Sequence, residues 1–208
     1  VETGSTVVVI GGGNTAIDCA RTAIRRPGVK EVHLIYRRTQ DEMPAEKHEI
    51  EEALTEGVKM NFLMSPVCIE FDSTSRYING VKFMKMELGP PDLSGRRRPI
   101  PVENAEEILI PATSVIGAVG QSTDTSYLWD DLPLKKNKWG DIKINGKTME
   151  TSAPKIFAGG DCVTGPATVI QAVAAGKQAA ECMHEFIENG YVKEHKNDYA
   201  CSRGTLED

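Results

Sequence analysis

The sequence predicts an α/β protein in which parallel strands alternate with helices and an antiparallel meander interrupts the alternation. Three observations carry that prediction. Val7 to Ile10 is a run of four β-formers, apolar throughout, as a strand buried on both faces requires. Gly11, Gly13 and Ala16 follow at the three small-residue positions of a dinucleotide-binding turn, between that strand and a helical apolar stripe. From Val67 to Ile110 the texture changes to short β-rich runs separated by Asn79-Gly80, Gly89-Pro90-Pro91 and Ser94-Gly95, the punctuation of hairpins.

Each small residue of the turn has a physical task. Gly11 lets the chain leave the strand sharply, Gly13 lets the backbone approach a pyrophosphate, and Ala16 lets the next helix pack close to the sheet. Asn14 is expected to cap that helix, whose free N–H groups and positive dipole end would face phosphates. Ala16, Ile17, Ala20, Ala23 and Ile24 form its buried stripe, and Pro27-Gly28 ends it. Glu31 to Tyr36 reads as the second strand, with His33 packed inside it. The strand ends in Arg37-Arg38. A carboxylate at this place suits the ribose 2′-hydroxyl of NAD, whereas arginine suits the 2′-phosphate of NADP, to which it offers a planar fork of donors. The expected ligand is therefore NADP(H), against the alternative of two solvated loop arginines.

Pro44 marks a second helix start, Ile50, Ala53 and Leu54 its apolar face, and Gly57 its stop; its Glu, Lys and His48 face reads as solvated. Val58 to Leu63 is the expected third parallel strand. After the meander (Val67–Phe71, Val81–Met86, Ile108–Ile110), Val115 to Val119 returns as a buried strand ending at Gly120-Gln121. These elements define a Rossmann-like three-layer nucleotide-binding domain over residues 1–120, with Gly120 among its cofactor-binding positions. Ser122 to Pro154 is polar and irregular, with a short strand at Ile142–Ile144. Ile156 to Asp161 reads as another strand entering a glycine turn. Pro166 to Ile187 reads as a long helix, buried over much of its first half because so few of its positions there are polar. A second domain piece thus spans 121–192, and the polar tail from Lys193 is expected to be disordered.

Composition narrows the function classes. A net charge of −6 and a pI near 5.4 over 208 residues argue against a general nucleic-acid binder. The one basic run, Arg96 to Arg98, reads as a solvated hairpin tip. No apolar stretch approaches the roughly 20 residues that span a bilayer, so no membrane partner is expected. Five scattered cysteines without a CxxC point to reduced thiols in a cytoplasmic setting, and to neither zinc nor an iron–sulfur set.

The stretch from Gly11 to Arg21, with Tyr36-Arg37-Arg38 and Met43-Pro44, closely resembles the small, NADPH-oxidising subunit of glutamate synthase. Phe157 to Asp161, Ala167-Thr168-Val169 and Ala175-Gly176 resemble that family's second flavin segment. The resemblance covers nearly all of residues 1–190. Related flavoprotein reductases share it, including dihydropyrimidine dehydrogenase and ferredoxin:NADP transhydrogenase subunits. It implies that residues 121–192 are the C-terminal segment of a second, FAD-binding domain. It also implies that Gly11, Gly13, Asn14, Thr15 and Ala16 hold the NADPH pyrophosphate, and Arg37 and Arg38 its 2′-phosphate. Gly160 and Asp161 would meet the FAD pyrophosphate and ribityl chain, and the backbone at Thr168 and Val169 the flavin's N1 and O2 edge. The implied activity is hydride transfer from NADPH to FAD and onward to iron–sulfur centres, with a larger catalytic subunit or electron-acceptor protein as partner. No side chain here is expected to act as a catalytic acid or base, and no metal site is expected. The sequence opens at the NADPH turn, without the family's upstream flavin fingerprint or its cysteine-rich iron–sulfur stretch. It therefore reads as a piece of a longer enzyme, inactive alone and not retaining FAD. The rivals are another reductase of the same superfamily and a non-catalytic NADP-binding or subunit-docking module.

Overall fold

Strand β1 (Thr6–Ile10) puts Val7 and Val9 toward one face and Val8 toward the other, and all three are fully buried. That explains an apolar run without alternation: both faces of the strand are covered. In this computed structural model the described residues are 2–74, 77–91, 97–126, 128 and 132–193. They fall into two compact units, Val1–Gly120 and Gln121–Asp208.

In the first unit, β1 leads through α1 (Asn14–Ile24) to β2 (Glu31–Tyr36), and then through a 3-10 turn (Gln40–Glu42) and α2 (Lys47–Thr55) to β3 (Lys59–Phe62). Strands β4 (Met64–Phe71), β5 (Ile78–Pro91), β6 (Arg97–Pro101) and β7 (Ile108–Pro111) follow before β8 (Ser114–Gly117). The parallel sheet runs β3-β2-β1-β8, with Thr6 opposite Glu31 and Ile10 opposite Gly117. A second, antiparallel sheet runs β4-β5-β6, with β7 also on β5. Helices pack on one face of the parallel sheet through Val7, Val9, Ala16, Ile17, Val32 and Leu34. The antiparallel sheet packs on the other through Val8, Ile35, Met64, Val81, Phe83 and Ile110. The three-layer α/β fold is thus present.

Several sequence expectations shift by identifiable causes. Asn79-Gly80 and Gly89-Pro90-Pro91 lie within β5 rather than in turns. A Cβ on Gly80 would lie 2.7 Å from the Ile110 carbonyl oxygen, and one on Gly89 2.2 Å from Ile100 Cδ1. These glycines serve close strand approach. Ser94-Gly95 and Arg96 lie outside the described residues, while Arg97 and Arg98 belong to β6. Pro44 does not open α2, which starts three residues later after Glu46. Leu54 is exposed, and Val119 lies beyond the end of β8 and is exposed as well. Nor is the acidic face of α2 merely solvated. Arg21 of α1 bonds Glu49 as well as Glu52 (2.6 Å) and Glu56 (2.8 Å), and Arg25 also bonds Glu56. These guanidiniums, Arg21 foremost, hold the Glu56 carboxyl below the usual carboxylate range.

The second unit is a meander of single bridges, Lys136 with Ile142, Ile144 with Thr151 and Glu150 with Phe157, leading to α3 (Asp161–Thr164) and α4 (Val169–Asn189). Ile142 to Ile144 contributes bridge residues, but Ile156 to Asp161 makes one bridge rather than a strand. Helix α4 packs on the meander through Ala179 and Cys182, and the Phe157 and Phe186 rings meet edge to face at 5.8 Å. The expectation of a buried first half is overturned. Val169, Ile170 and Val173 are 79%, 82% and 52% exposed, because none of the three belongs to the cluster of small residues by which α4 packs on the meander. The tail beyond Lys193 lies outside the described residues.

Candidate functional site

The order β3-β2-β1-β8 places the turn after β1 at a switch point: the chain leaves β1 toward β2 on one side, and β8 pairs it on the other. Open parallel sheets bind ligands at such crevices, beyond the carboxyl ends of the strands. The three glycines there have different reasons to be glycine. Gly11 has φ +151°, and a Cβ on it would stand 2.2 Å from the Ala118 carbonyl oxygen and 3.1 Å from Ala16 Cβ. Only a residue without a side chain lets α1 and the segment just after β8 close on β1. A Cβ on Gly12 would stand 2.4 Å from the Tyr36 ring. Gly13 is different, since the nearest atom to its Cβ position is Pro44 Cγ at 3.9 Å. The first two are required by the protein's own packing. The third leaves a clear space beside the backbone.

The same turn carries unused backbone donors. Gly13 is the N-cap of α1, and its carbonyl accepts from Ala16 (2.9 Å) and Ile17 (3.2 Å). The N–H groups of Gly12, Gly13, Asn14 and Thr15 find no acceptor among the described residues, and no acid lies in the first turn. Asn14, expected as the cap, is not one. Its Oδ1 accepts from the Glu46 N–H at 2.9 Å, tying the turn to the segment before α2. Ala45 N–H adds a bond to the Gly12 carbonyl at 3.2 Å, and Tyr36 donates its hydroxyl to the Glu42 carbonyl at 2.9 Å. The sequence reading missed Gly12 and Tyr36 as parts of the turn's support. Three consecutive glycines were the available signal.

The two arginines after β2 are unequal. Arg37 is exposed, with no hydrogen bond or ion pair among the described residues. Arg38 is half-buried and donates Nε to the Arg97 carbonyl at 2.7 Å, linking the end of β2 to β6. Its terminal nitrogens stay free for an outside acceptor. Thr39 and Glu42 form a capping box around the 3-10 turn, and the Thr39 hydroxyl, the foremost cause, holds the Glu42 carboxyl below its usual range. Gly120 has φ +96° and is exposed, with nothing near its Cβ position. It is Ala118, not Gly120, that abuts the glycine turn.

In the second unit, Gly160 (φ +78°) precedes the short α3, and its carbonyl accepts from Val163 at 2.9 Å. Asp161 Oδ1 accepts from the Ala167 N–H at 3.3 Å, and its other oxygen has no partner among the described residues. Thr168 caps α4 in a reciprocal box with Gln171. The Val169 and Ile170 N–H groups lack acceptors among the described residues, again with no acid in the first turn. Asp161 is therefore oriented by the turn that leads to the N-terminus of α4. Among the described residues no cluster of three His, Cys, Asp or Glu side chains could hold a metal ion, and no helix is long and apolar enough to cross a membrane.

Comparison with known proteins accords with this geometry. The family profile described as Pyridine nucleotide-disulphide oxidoreductase matches residues 1–176. NADP(+)-dependent formate dehydrogenase subunit beta of Moorella thermoacetica is 45% identical over 187 residues, which is 90% of this chain and 26% of that protein. The NADPH-Fe(3+) oxidoreductase subunit beta of Geobacter sulfurreducens is 37% identical over 90% of the chain and 30% of its own length. Glutamate synthase [NADPH] small chain of Escherichia coli is 38% identical over 89% of the chain and 39% of its own length. The chain thus spans well under half of these relatives. Thioredoxin reductase of T. acidophilum superposes with a TM-score of 0.71 at 26% identity, over 89% of this chain and 54% of that one. FprA of Mycobacterium tuberculosis shares the fold, with a TM-score of 0.70 at 18% identity, over 93% of this chain and 56% of that one.

Proposed function

The chain belongs to the pyridine nucleotide-disulphide oxidoreductase family, and from that premise we propose that it is the NADPH-binding portion, with part of the flavin-binding portion, of an NADPH-dependent flavoprotein oxidoreductase. The observation that carries this reading is the turn after β1. The consecutive N–H groups of Gly12 to Thr15 have no acceptor among the described residues, and Gly13 among them leaves open space where a side chain would stand. The Arg37 guanidinium at the end of the neighbouring strand has no partner among the described residues. A pyrophosphate would take those N–H groups and the positive end of α1. Arg37 and the free edge of Arg38 would take a 2′-phosphate, which sets NADP(H) apart from NAD(H).

Residues 1–120 serve as the NADP(H) domain and residues 121–192 as the last segment of an FAD domain. When bound, the two cofactors supply hydride donation and acceptance; the protein supplies position and electrostatics. Asp161, held through its Oδ1, would direct its free oxygen to a hydroxyl of the flavin chain. The Val169 and Ile170 N–H groups and the α4 dipole would stabilise negative charge at the flavin edge. Electrons would then leave toward iron–sulfur centres carried outside this chain, and the beta-subunit and small-chain names of the relatives support assembly with a larger partner.

The test is calorimetric titration with NADP⁺ and NAD⁺ at low and high salt. A charge-assisted bond contributes about 1.5–3 kcal/mol, reduced here by exposure. The expected preference for NADP⁺ is about 10- to 100-fold, shrinking as salt rises. Equal affinities at low salt overturn the assignment of the arginines, and no binding of either nucleotide overturns the reading of the turn.

A further inference from the structure

The meander of the second unit carries a charge pattern that the dinucleotide and flavin readings leave unused. Between residues 135 and 155 stand six lysines (135, 136, 138, 143, 147 and 155) against two carboxylates, Asp141 and Glu150, in a chain whose net charge is −6. Asp141 is only 7% exposed and is engaged by the Thr123 hydroxyl (2.7 Å) and the Asn137 amide (2.9 Å), so it offers the surface little compensation. Lys135 and Lys143 are direct cross-strand neighbours. They flank the Lys136–Ile142 bridge, and the Lys143 N–H donates to the Lys135 carbonyl at 2.9 Å. Like charges placed opposite one another destabilise a ribbon. Neither ammonium has a carboxylate partner among the described residues.

Both lysines, with Lys155, line a concavity of about 540 Å³ that also takes in Asn145, Glu150 and Thr151. Lys155 has φ +63°, and Met149, next to Glu150, has φ +57°. Left-handed backbone at such residues persists only where the surroundings fix it, and it concentrates at ligand clamps. We propose that this concavity binds a small dianion carrying a phosphate or a dicarboxylate. Among the described lining residues, three ammonium groups against one carboxylate leave two positive charges to be met. The volume lies in the small-molecule range, so a guest of that size could meet all three lysines.

The experiment is calorimetric titration of the protein, saturated with NADP⁺ so that the dinucleotide turn is filled, with inorganic phosphate and with succinate at pH 7 and low salt. Saturable binding with a dissociation constant below about 1 mM is expected for at least one anion, and the tighter of the two identifies the group recognised. Lys143→Ala and Lys155→Ala should each weaken it about tenfold or more, and Lys143→Arg should keep it within about threefold. Lys147→Ala, a change outside the concavity, should leave it unaltered. Thermal melts of the exposed-lysine variants check that each is folded. No saturable binding of either anion overturns the proposal. So does an equal loss in Lys147→Ala, which would mean diffuse attraction rather than a site.

Discussion

Gly12 and Gly13 are adjacent, yet alanine at each should fail in a different assay. At Gly12 the new methyl would lie 2.4 Å from two atoms of the Tyr36 ring, Cδ2 and Cε2. The ring cannot simply swing away, because its hydroxyl is bonded to the Glu42 carbonyl at 2.9 Å and the residue is 7% exposed. Overpacking of this kind costs about 1–3 kcal/mol. For a unit of this size that is a fall in Tm of about 4–12 °C. At Gly13 the methyl meets nothing closer than Pro44 Cγ at 3.9 Å, and the φ of −93° is open to any residue. Alanine is a poorer N-cap than glycine, so a loss of about 0.5–1 kcal/mol is expected, no more than about 4 °C.

Dinucleotide affinity should show the reverse order. The Gly13 methyl occupies the space a pyrophosphate would need, so Gly13→Ala should weaken NADP⁺ and NAD⁺ alike by about tenfold or more. Gly12→Ala, measured below its own Tm, should lose affinity only as far as Tyr36 drags the turn with it. Calorimetric melts and titrations on the two variants decide the matter. A Gly13→Ala protein that binds as the wild type does would refute the assignment of the open space to a phosphate. Equal melting losses in the two variants would refute the packing argument for Gly12.

Arg37→Ala should cut NADP⁺ affinity about tenfold at low salt and leave NAD⁺ binding unchanged, as fluorescence titration with each nucleotide would show. Asp141 is held below the usual carboxylate range by the Thr123 hydroxyl, foremost, and the Asn137 amide. A depressed folded-state pKa stabilises above the unfolded value of about 4, and that stability is lost as pH falls through the lower folded value. Asp141→Asn should therefore flatten the acid limb of the second unit's stability profile below about pH 4, read by circular dichroism melts; an unchanged limb would remove Asp141 from the account. Cys182 is fully buried, and burial pushes its thiol up, so alkylation at pH 8 should leave it untouched in the native state, while the exposed Cys68 reacts, slowed because desolvation and then Glu70 push its thiol up as well. On the proposed function, Cys162→Ala should keep NADPH oxidation within a few-fold; a larger loss without loss of stability would bring thiol chemistry back in.

What the sequence made legible was whatever rests on local periodicity. Val7 to Ile10, the stripe of α1 and the run from Glu31 to Tyr36 were readable because burial on a parallel sheet imposes composition directly. The supporting contacts of the turn were not. Asn14 has the side chain of a cap, but its oxygen is drawn to Glu46, thirty-two residues on, and no local rule carries that pairing. Arg37 and Arg38 look equivalent in sequence, and only the antiparallel layer, by bringing the Arg97 carbonyl to Arg38, distinguishes them. Gly80 and Gly89 misled for a related reason. A glycine needed for close approach is indistinguishable, one residue at a time, from a glycine needed for a turn. Helix α4 failed in the opposite direction. Val169, Ile170 and Val173 carry the composition of a buried face, but composition states only that a face is suited to burial, and in this unit the packing on α4 falls instead to Ala179 and Cys182. The apolar face and the N–H groups of Val169 and Ile170, which have no acceptor among the described residues, lie in the same first turns of α4, so one surface offers both apolar area and donors. On the proposed function, a flavin ring, apolar on its faces and polar along one edge, would cover that pairing better than a purely apolar group.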